Sequence, residues 1–233
     1  MNEIKHLGII MDGNRRWAAK NGLQSFQGHD RGADVFVDVC DWCKQAGIFY
    51  LTVFAFSTEN WNRSQVEILH IFGLLERFFK ARIGLCLEQK IKIRVIGQRD
   101  RFDKKTTSII EDAEDRTKDC DELYAQLALS YGGRDEIIRA IKKLTGDVMA
   151  NIRTPDGITE EVFSSYLDTS GIPDVDLIIR TGGSENRRLS NFLTWQIVYS
   201  ELFFSDLLWP DFTHDEFLRA VDYYHSVKRN IGK

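Results

Sequence analysis

Cysteine is scarce in this chain. Four thiols in 233 residues, Cys40, Cys43, Cys86 and Cys120, are too few to staple a protein of this size. Cys40 and Cys43 form a CxxC, but a zinc site needs a second close pair, and Cys86 and Cys120 lie far apart in sequence. The pair reads as two small apolar residues on one helix face. Long apolar runs are also absent: none approaches the ~18 residues of a membrane span. The first residues, MNEIKHLGII, lack the n-region, h-region and cleavage site of a signal peptide. A cytoplasmic protein with free thiols is expected. The net charge of −4 gives no case for a nucleic-acid binder, although it does not describe the charge inside a cleft. The nucleotide fingerprints GxGxxG and GxxxxGK[ST] are missing, as is a GxSxG nucleophile elbow. Repeats, low-complexity runs and linkers are missing too.

What is present suits one soluble α/β domain. Apolar residues make up 43% and charged residues 28%. Strand signals at His6–Met11, Phe49–Phe56, Lys90–Ile96, Leu123–Ser130 and Val175–Ile179 alternate with helical patterns. The helices are expected near residues 30–46, 64–89 and 103–119, from Asp135, and near 214–229. Such alternation implies a single domain with a central, mainly parallel sheet flanked by helices. The helix at 64–89 is apolar nearly all round, with Val66, Ile68, Leu69, Ile71, Phe72, Leu74, Leu75, Phe78, Phe79, Ile83 and Leu85. It therefore packs between the core and a subunit interface, or lines a cavity for an apolar ligand.

Ligands of open α/β sheets bind beyond the carboxyl ends of the strands. Four such ends carry polar clusters here: DGNRRW from Asp12, STENWNR from Ser57, SYGGRDE from Ser130 and RTGGSENRRLSN from Arg180. Glycine lets backbone N–H groups approach an anion, and arginine contacts phosphate in bidentate fashion. DGN and TGG thus read as two anion cradles with arginines beside them. Asp12 suits a Mg²⁺ held by one carboxylate plus substrate phosphates, or else a plain helix cap. Two phosphorylated groups, one Mg²⁺ and an apolar tunnel describe condensation of phosphorylated lipids better than hydrolysis.

The segments HLGIIMDGNRRWA, FAFSTENWNR, SYGGRDEI and RTGG…RRLSNFLTWQIVYSELFFSDLLWPDF resemble the cis-prenyltransferase family, whose best-known members make undecaprenyl diphosphate. The resemblance runs in order from residue 6 to about 212. It implies a homodimer with an apolar tunnel, in which isopentenyl diphosphate and an allylic diphosphate such as farnesyl diphosphate bind side by side. Asp12 would hold Mg²⁺, with Glu201 helping, from the partner subunit or through water. Gly13, Asn14, Arg15, Arg16 and Trp17 would cradle the allylic diphosphate, assisted by His29 and Arg63. Ser57, Glu59, Asn60 and Trp61 belong to the segment over the reacting carbons, with Asn60 catalytic. Arg180, Arg187 or Arg188, and Ser190 would grip isopentenyl diphosphate. Product release would bring a peripheral membrane contact.

Three positions depart from the family pattern. Ser25 stands where bacterial members carry an arginine, RTGGSENRRLS is two residues longer than usual and so displaces Glu185, and the tail reads Arg229-Asn230-Ile231-Gly232. Trp195, Tyr199, Phe203 and Phe204 read as core and dimer residues, His70, His214 and His225 as non-catalytic, and His6 as an edge residue. Small Ala55 goes, in the family, with longer products, so a Z-polyprenyl diphosphate is expected. The alternative is a short-chain or branching condensation. A phosphatase would need more carboxylates at strand ends, a non-catalytic subunit would lack DGN, and a trans-type enzyme would need DDxxD.

Overall fold

The apolar run after Lys5 forms a strand, β1 (His6–Ile10), buried over its whole length. In a computed structural model, described over residues 3–183 and 187–228, β1 lies inside a six-stranded sheet. The other strands are β2 (Tyr50–Ser57), β3 (Ile91–Ile96), β4 (Leu123–Tyr131), β5 (Leu177–Arg180) and β6 (Glu201–Phe204). Their order is β3-β4-β2-β1-β5-β6, and every pairing is parallel. From β1 the chain builds β2, β3 and β4 on one side, then crosses back to add β5 and β6 on the other. The crevice at this reversal opens beyond the carboxyl ends of β1 and β5, where α/β sheets bind ligands.

The helices are α1 (Asn14–Lys20), α2 (Ser25–Gln45), α3 (Gln65–Glu88), α4 (Lys104–Arg116), α5 (Gly133–Met149), α6 (Glu160–Ser164) and α7 (His214–Ser226). Local chemistry sets several starts: Ser64, Asp103 and Thr213 accept N–H bonds from Glu67, Thr106 and Glu216. α2 begins earlier than its apolar spacing indicated, because Gln24 and Gln27 form a capping box. Gly28 and His29 are therefore helical. β6 was not expected. Its four residues, ELFF, lack the length and alternation that mark a strand, and only pairing with β5 makes them one.

Strand alternation sends Leu7, Ile9, Leu51, Val53, Leu177 and Ile179 into the main core, with Val35, Val39, Cys40 and Cys43 of α2 and Phe217 of α7. Ile10, Ile178 and Ala128 pack instead with Tyr131, Phe192 and Leu193. Cys40 and Cys43 are buried free thiols, as the spacing suggested, and burial pushes both thiols up.

The expectation that His6 is an edge residue is wrong. β1 is an interior strand and His6 is fully buried. Its Nε2 lies 2.7 Å from Thr52 Oγ1, its Nδ1 lies 2.7 Å from the Pro173 carbonyl, and Gln126 Nε2 donates to Thr52 Oγ1 at 3.2 Å. The consistent pattern has Nδ1 donating to Pro173 and Nε2 accepting from Thr52, in a neutral ring. Desolvation lowers His6 from the usual 6.5 to about 4. The unfolded chain takes up this proton as pH falls through ~6.5, whereas the native ring resists until about 4. Stability is thus present above 6.5 and lost as pH falls to 4, by about 3 kcal/mol from His6. Urea unfolding of His6→Asn should show a shallower loss over this window; equal slopes would remove His6 as the cause.

Candidate active site

The register that pairs Ile10 with Arg180 decides the geometry of the crevice. Asp12, two residues past Ile10, stands beside the end of β5. Its Oδ2 accepts from Arg180 Nη2 at 2.9 Å and its Oδ1 from Arg16 Nη2 at 3.1 Å. Thr181 fixes the Asp12 backbone: Asp12 N–H donates to Thr181 Oγ1 at 3.0 Å, and that hydroxyl donates back to the Asp12 carbonyl at 2.9 Å. Gly182, at φ +116°, leaves room for the carboxyl group; a Cβ there would lie 2.9 Å from Asp12 Cγ. Arg180 Nη1 donates to Ser190 Oγ at 2.8 Å and to the Arg188 carbonyl, while Nε is buried without a partner. Ser190 reaches this position through left-handed backbone at Ser190 and Asn191. Burial lowers the Arg180 pKa, Asp12 raises it, and the Arg188 and Arg16 charges lower it further.

These groups belong to the wall of a polar cavity of about 620 Å³. Among the described residues, five arginines, Arg15, Arg16, Arg63, Arg180 and Arg188, face it with Asp12 as the lone carboxylate. Gly13, Asn14, His29, Ser57, Asn60 and Ser190 complete the polar lining. Asn14 Oδ1 and His29 Nε2 are buried without partners. Burial lowers the His29 pKa to about 4, helped by the Arg63 charge and opposed by Glu67, so the ring is neutral near pH 7. Gly28 lets α1 and α2 touch, since a Cβ would collide with the Asn14 carbonyl.

Met11, Asn14, His29, Phe54 and Ala55 also line an apolar chamber of about 110 Å³. It runs inward between α2, α3, β2 and β4, past Phe36, Val53, Leu75, Phe78, Leu127 and Leu129. Ala55 sits at a break in the β2–β4 register, a kink of the kind that re-aims residues beside active sites. Of the two expectations for α3, the structure supports the cavity wall: Ile71, Phe72, Leu74, Leu75 and Phe78 face the chamber, half-buried.

Some expected site residues lie off the cavity wall. Trp17 donates its indole N–H to Asp211 at 2.6 Å. Trp61 donates to Ser130 Oγ at 2.8 Å, stacks on Phe72 and carries the Arg101 guanidinium on its ring. Glu59 accepts from Asn191 Nδ2 at 3.0 Å. Arg187 is exposed beside the lining residue Arg188. Glu201 begins β6 in register with Leu177 and, through it, Leu7, at the amino end of the sheet. That is five residues of strand, ~17 Å, from Asp12, so Glu201 cannot reach the Asp12 carboxylate within one protomer. Glu185 and residues 229–232 fall outside the described residues.

Sequence reasoning missed Thr181, although RTGG contains it, and Asn191. Asn191 joins three strand ends: besides Glu59, it accepts from the backbone N–H groups of Gly133 and Arg134. It also missed Glu67, which pairs with Arg63 at 2.9 Å and lies 3.7 Å from Arg15. Trp209 walls the chamber and donates to the Gly32 carbonyl at 2.8 Å.

A family model described as putative undecaprenyl diphosphate synthase matches residues 10–232. The chain belongs to this prenyltransferase family. It is 44% identical to an isoprenyl transferase of Aquifex aeolicus over 98% of this chain and 96% of that protein. It is 41% identical to one from Thermotoga maritima at the same coverage. Among solved structures, a probable undecaprenyl diphosphate synthase from Campylobacter jejuni aligns over the full length of both chains at 37% identity and TM-score 0.82. Lavandulyl diphosphate synthase from Lavandula x intermedia, in complex with dimethylallyl diphosphate, aligns at 32% identity and TM-score 0.94, covering 99% of this chain and 98% of that one. The chain is an enzyme, a prenyltransferase, and its fold is the cis-prenyltransferase fold.

For a prenyltransferase site built this way, Gly182→Ala should push the Asp12 carboxyl aside and strain the backbone, at about 1–3 kcal/mol. Thermal unfolding should register the loss, and prenyl transfer should fall with it. An unchanged melting temperature would show that the Asp12–Gly182 contact is not tight.

Proposed function

We propose that this enzyme condenses isopentenyl diphosphate with an allylic diphosphate such as farnesyl diphosphate, in the presence of Mg²⁺, to give a Z-polyprenyl diphosphate. The observation that carries this reading is the junction of a five-arginine cavity with an apolar chamber through shared wall residues. Two diphosphates bring several negative charges, which the arginines balance, and the chamber offers the hydrocarbon a dry place.

The residues present fit a Mg²⁺ ion. Asp12 is a single hard-oxygen ligand, half-exposed at the rim, and substrate phosphates would supply the remaining oxygens. When bound, the ion would offset negative charge on the departing diphosphate. Glu201 would take part only from a partner subunit. Val198 and Tyr199, 69% and 71% exposed just before β6, and Ile138 and Ile141 of α5 are apolar surface suited to a homodimer.

The chain's own groups do the rest. Arg15, Arg16 and Arg63 hold the allylic diphosphate, with His29 as a neutral hydrogen-bonding ring. Arg180, Arg188 and Ser190 hold the isopentenyl diphosphate. Fixed donors of this kind stabilise the charge that develops as the allylic C–O bond breaks. The isopentenyl double bond attacks the allylic carbon from a set distance, one C–C bond forms, and a proton leaves C2. The released diphosphate and Asp12 are the candidate bases, and Asn60 lines the same wall. Among the described residues, no helix is long and apolar enough to cross a membrane. A cytoplasmic enzyme that touches the membrane only to release product fits this.

A short-chain or branching coupling is the second reading. One observation favours it, the TM-score of 0.94 with lavandulyl diphosphate synthase. Incubation with farnesyl diphosphate, labelled isopentenyl diphosphate and Mg²⁺, followed by sizing of the lipid, should give products longer by five-carbon units. Dimethylallyl diphosphate alone, coupled to a ten-carbon product, would establish the second reading instead. Asp12→Ala should lower turnover at least on the order of a hundredfold while circular dichroism stays native. Near-normal turnover would remove Asp12 from the metal site.

A further inference from the structure

The segment at the mouth of the arginine-lined cavity is held from behind by one indole. The 3-10 turn Thr58–Asn62 supplies Asn60 to the cavity wall, and Ser57 and Arg63 flank the turn there. Trp61, in the same turn, packs away from that wall against the core. Its indole N–H donates to Ser130 Oγ at 2.8 Å. Its ring stacks on Phe72, with centroids 5.4 Å apart and planes at 26°, and meets Phe56 edge-to-face at 5.2 Å. A cation completes the enclosure: the Arg101 guanidinium carbon lies 4.4 Å from the Trp61 ring centroid. That is well inside the ~6 Å reach of a cation–π contact, and tryptophan is its best acceptor.

Arg101 comes from a second short turn, Arg99–Arg101, between β3 and α4. Arg99 anchors that turn by donating to Glu114 of α4 at 2.8 Å. Phe102, next in sequence, meets Phe72 edge-to-face at 5.5 Å. The two arginines are used differently. Arg99 is committed to a carboxylate, whereas Arg101 is exposed and, among the described residues, its guanidinium is in an ion pair with none. Its contact is the indole face, which the flat guanidinium suits.

We propose that Arg101 is a positioning residue for allylic diphosphate binding: it clamps Trp61 and so keeps the Thr58–Asn62 turn at the mouth. This rests on the condensation reading above, which gives Asn60 and Arg63 their substrate roles. Arg101 does not line the cavity and acts only through the indole. A five-residue 3-10 turn has poor internal hydrogen bonding and needs outside support. Glu59 ties its first half to Asn191, and Trp61 ties its second half, between Asn60 and Arg63. Freeing the indole therefore loosens the allylic side of the mouth. The isopentenyl side keeps its own bonds, from Arg180 to Asp12 and Ser190.

The test separates positioning from stability. Arg101→Gln and Arg101→Lys would be assayed with farnesyl diphosphate, labelled isopentenyl diphosphate and Mg²⁺, varying each substrate in turn. Arg101→Gln should raise KM for the allylic diphosphate about two- to fivefold, the size of an exposed cation–π contact, and leave KM for isopentenyl diphosphate unchanged. Arg101→Lys, which keeps the cation, should fall between Arg101→Gln and wild type. A merely structural loss leaves fewer active molecules, so kcat falls with both KM values unchanged, and that outcome would overturn the proposal. A second readout needs no substrate. The emission of Arg101→Gln should differ from wild type, and the difference should vanish when both carry Trp61→Phe. An emission identical to wild type would show that the clamp does not exist. If wild type couples no allylic primer, the condensation reading fails and the substrate role with it, while the emission difference still decides whether Arg101 holds the indole.

Discussion

The ion pair between Asp12 and Arg180 is the constraint on which the rest of the site depends. Arg180 ends an interior strand with its side chain 4% exposed, and a guanidinium so far from water needs a fixed partner. Asp12 can supply it only because β1 and β5 are neighbours in parallel register. Gly182 makes space for the carboxyl group, and Thr181 ties the two strand ends together. Arg180 then holds Ser190 and the Arg188 carbonyl, so the segment after β5 is folded back by the same guanidinium. Asn191 extends the tie to the segments after β2 and β4. One pair of charges thus orders loops from four strands into one wall.

That wall is charged out of proportion. Among the described residues, five guanidiniums face a cavity with a single carboxylate, and burial with like-charge neighbours lowers the Arg180 pKa. Such a cluster favours anions, and the diphosphates proposed to bind there would offset its charge while giving donors such as the unpartnered Arg180 Nε an acceptor. The whole chain is nonetheless acidic, at −4. A steering field local to a cleft is compatible with an overall charge of the opposite sign.

Strands β1 to β5 and the long helices were legible because their apolar periods are strong. β6 was not, since four apolar residues carry no period and gain strand character only beside β5. The DGN and RTGG clusters pointed to the mouth because arginine and glycine at strand ends carry chemistry in their composition. The stitching residues were hidden for the opposite reason. Thr181 and Asn191 act through contacts that register and left-handed backbone create, and neither is visible in a one-dimensional pattern; Glu67 faces the mouth from the first turn of α3. Trp17, Glu59 and Trp61 sit in the right segments yet turn their polar atoms to Asp211, Asn191 and Ser130. Within one protomer Glu201 does not reach Asp12, for a topological reason. It opens its strand, whereas the site gathers where strands end.

The same reasoning explains the odd composition of α3. An apolar helix pressed fully onto a sheet would bury its residues, but Ile71, Phe72, Leu74, Leu75 and Phe78 are half-buried, and Val66 and Leu69 are 78% and 63% exposed. The helix stands off the sheet, and the gap is the chamber. Its ties to the neighbouring helices include exposed ion pairs, Arg77 with Asp30 and Arg82 with Asp34 on α2, and Lys105 of α4 with Glu76. Pairs of this kind contribute little each, and they tolerate displacement in a way that interlocked core packing does not. The sheet side of the chamber, by contrast, is β2 and β4, strands of eight and nine residues paired with each other. In the proposed reaction the wall free to give way to a growing chain is therefore α3, whose Glu67 also pairs with Arg63 at the mouth, while Asp12 and Arg180, anchored to the strand ends, stay in place. The Asp12–Arg180 ion pair thus belongs to the rigid sheet and most of the chamber's outer wall to a helix that stands off it.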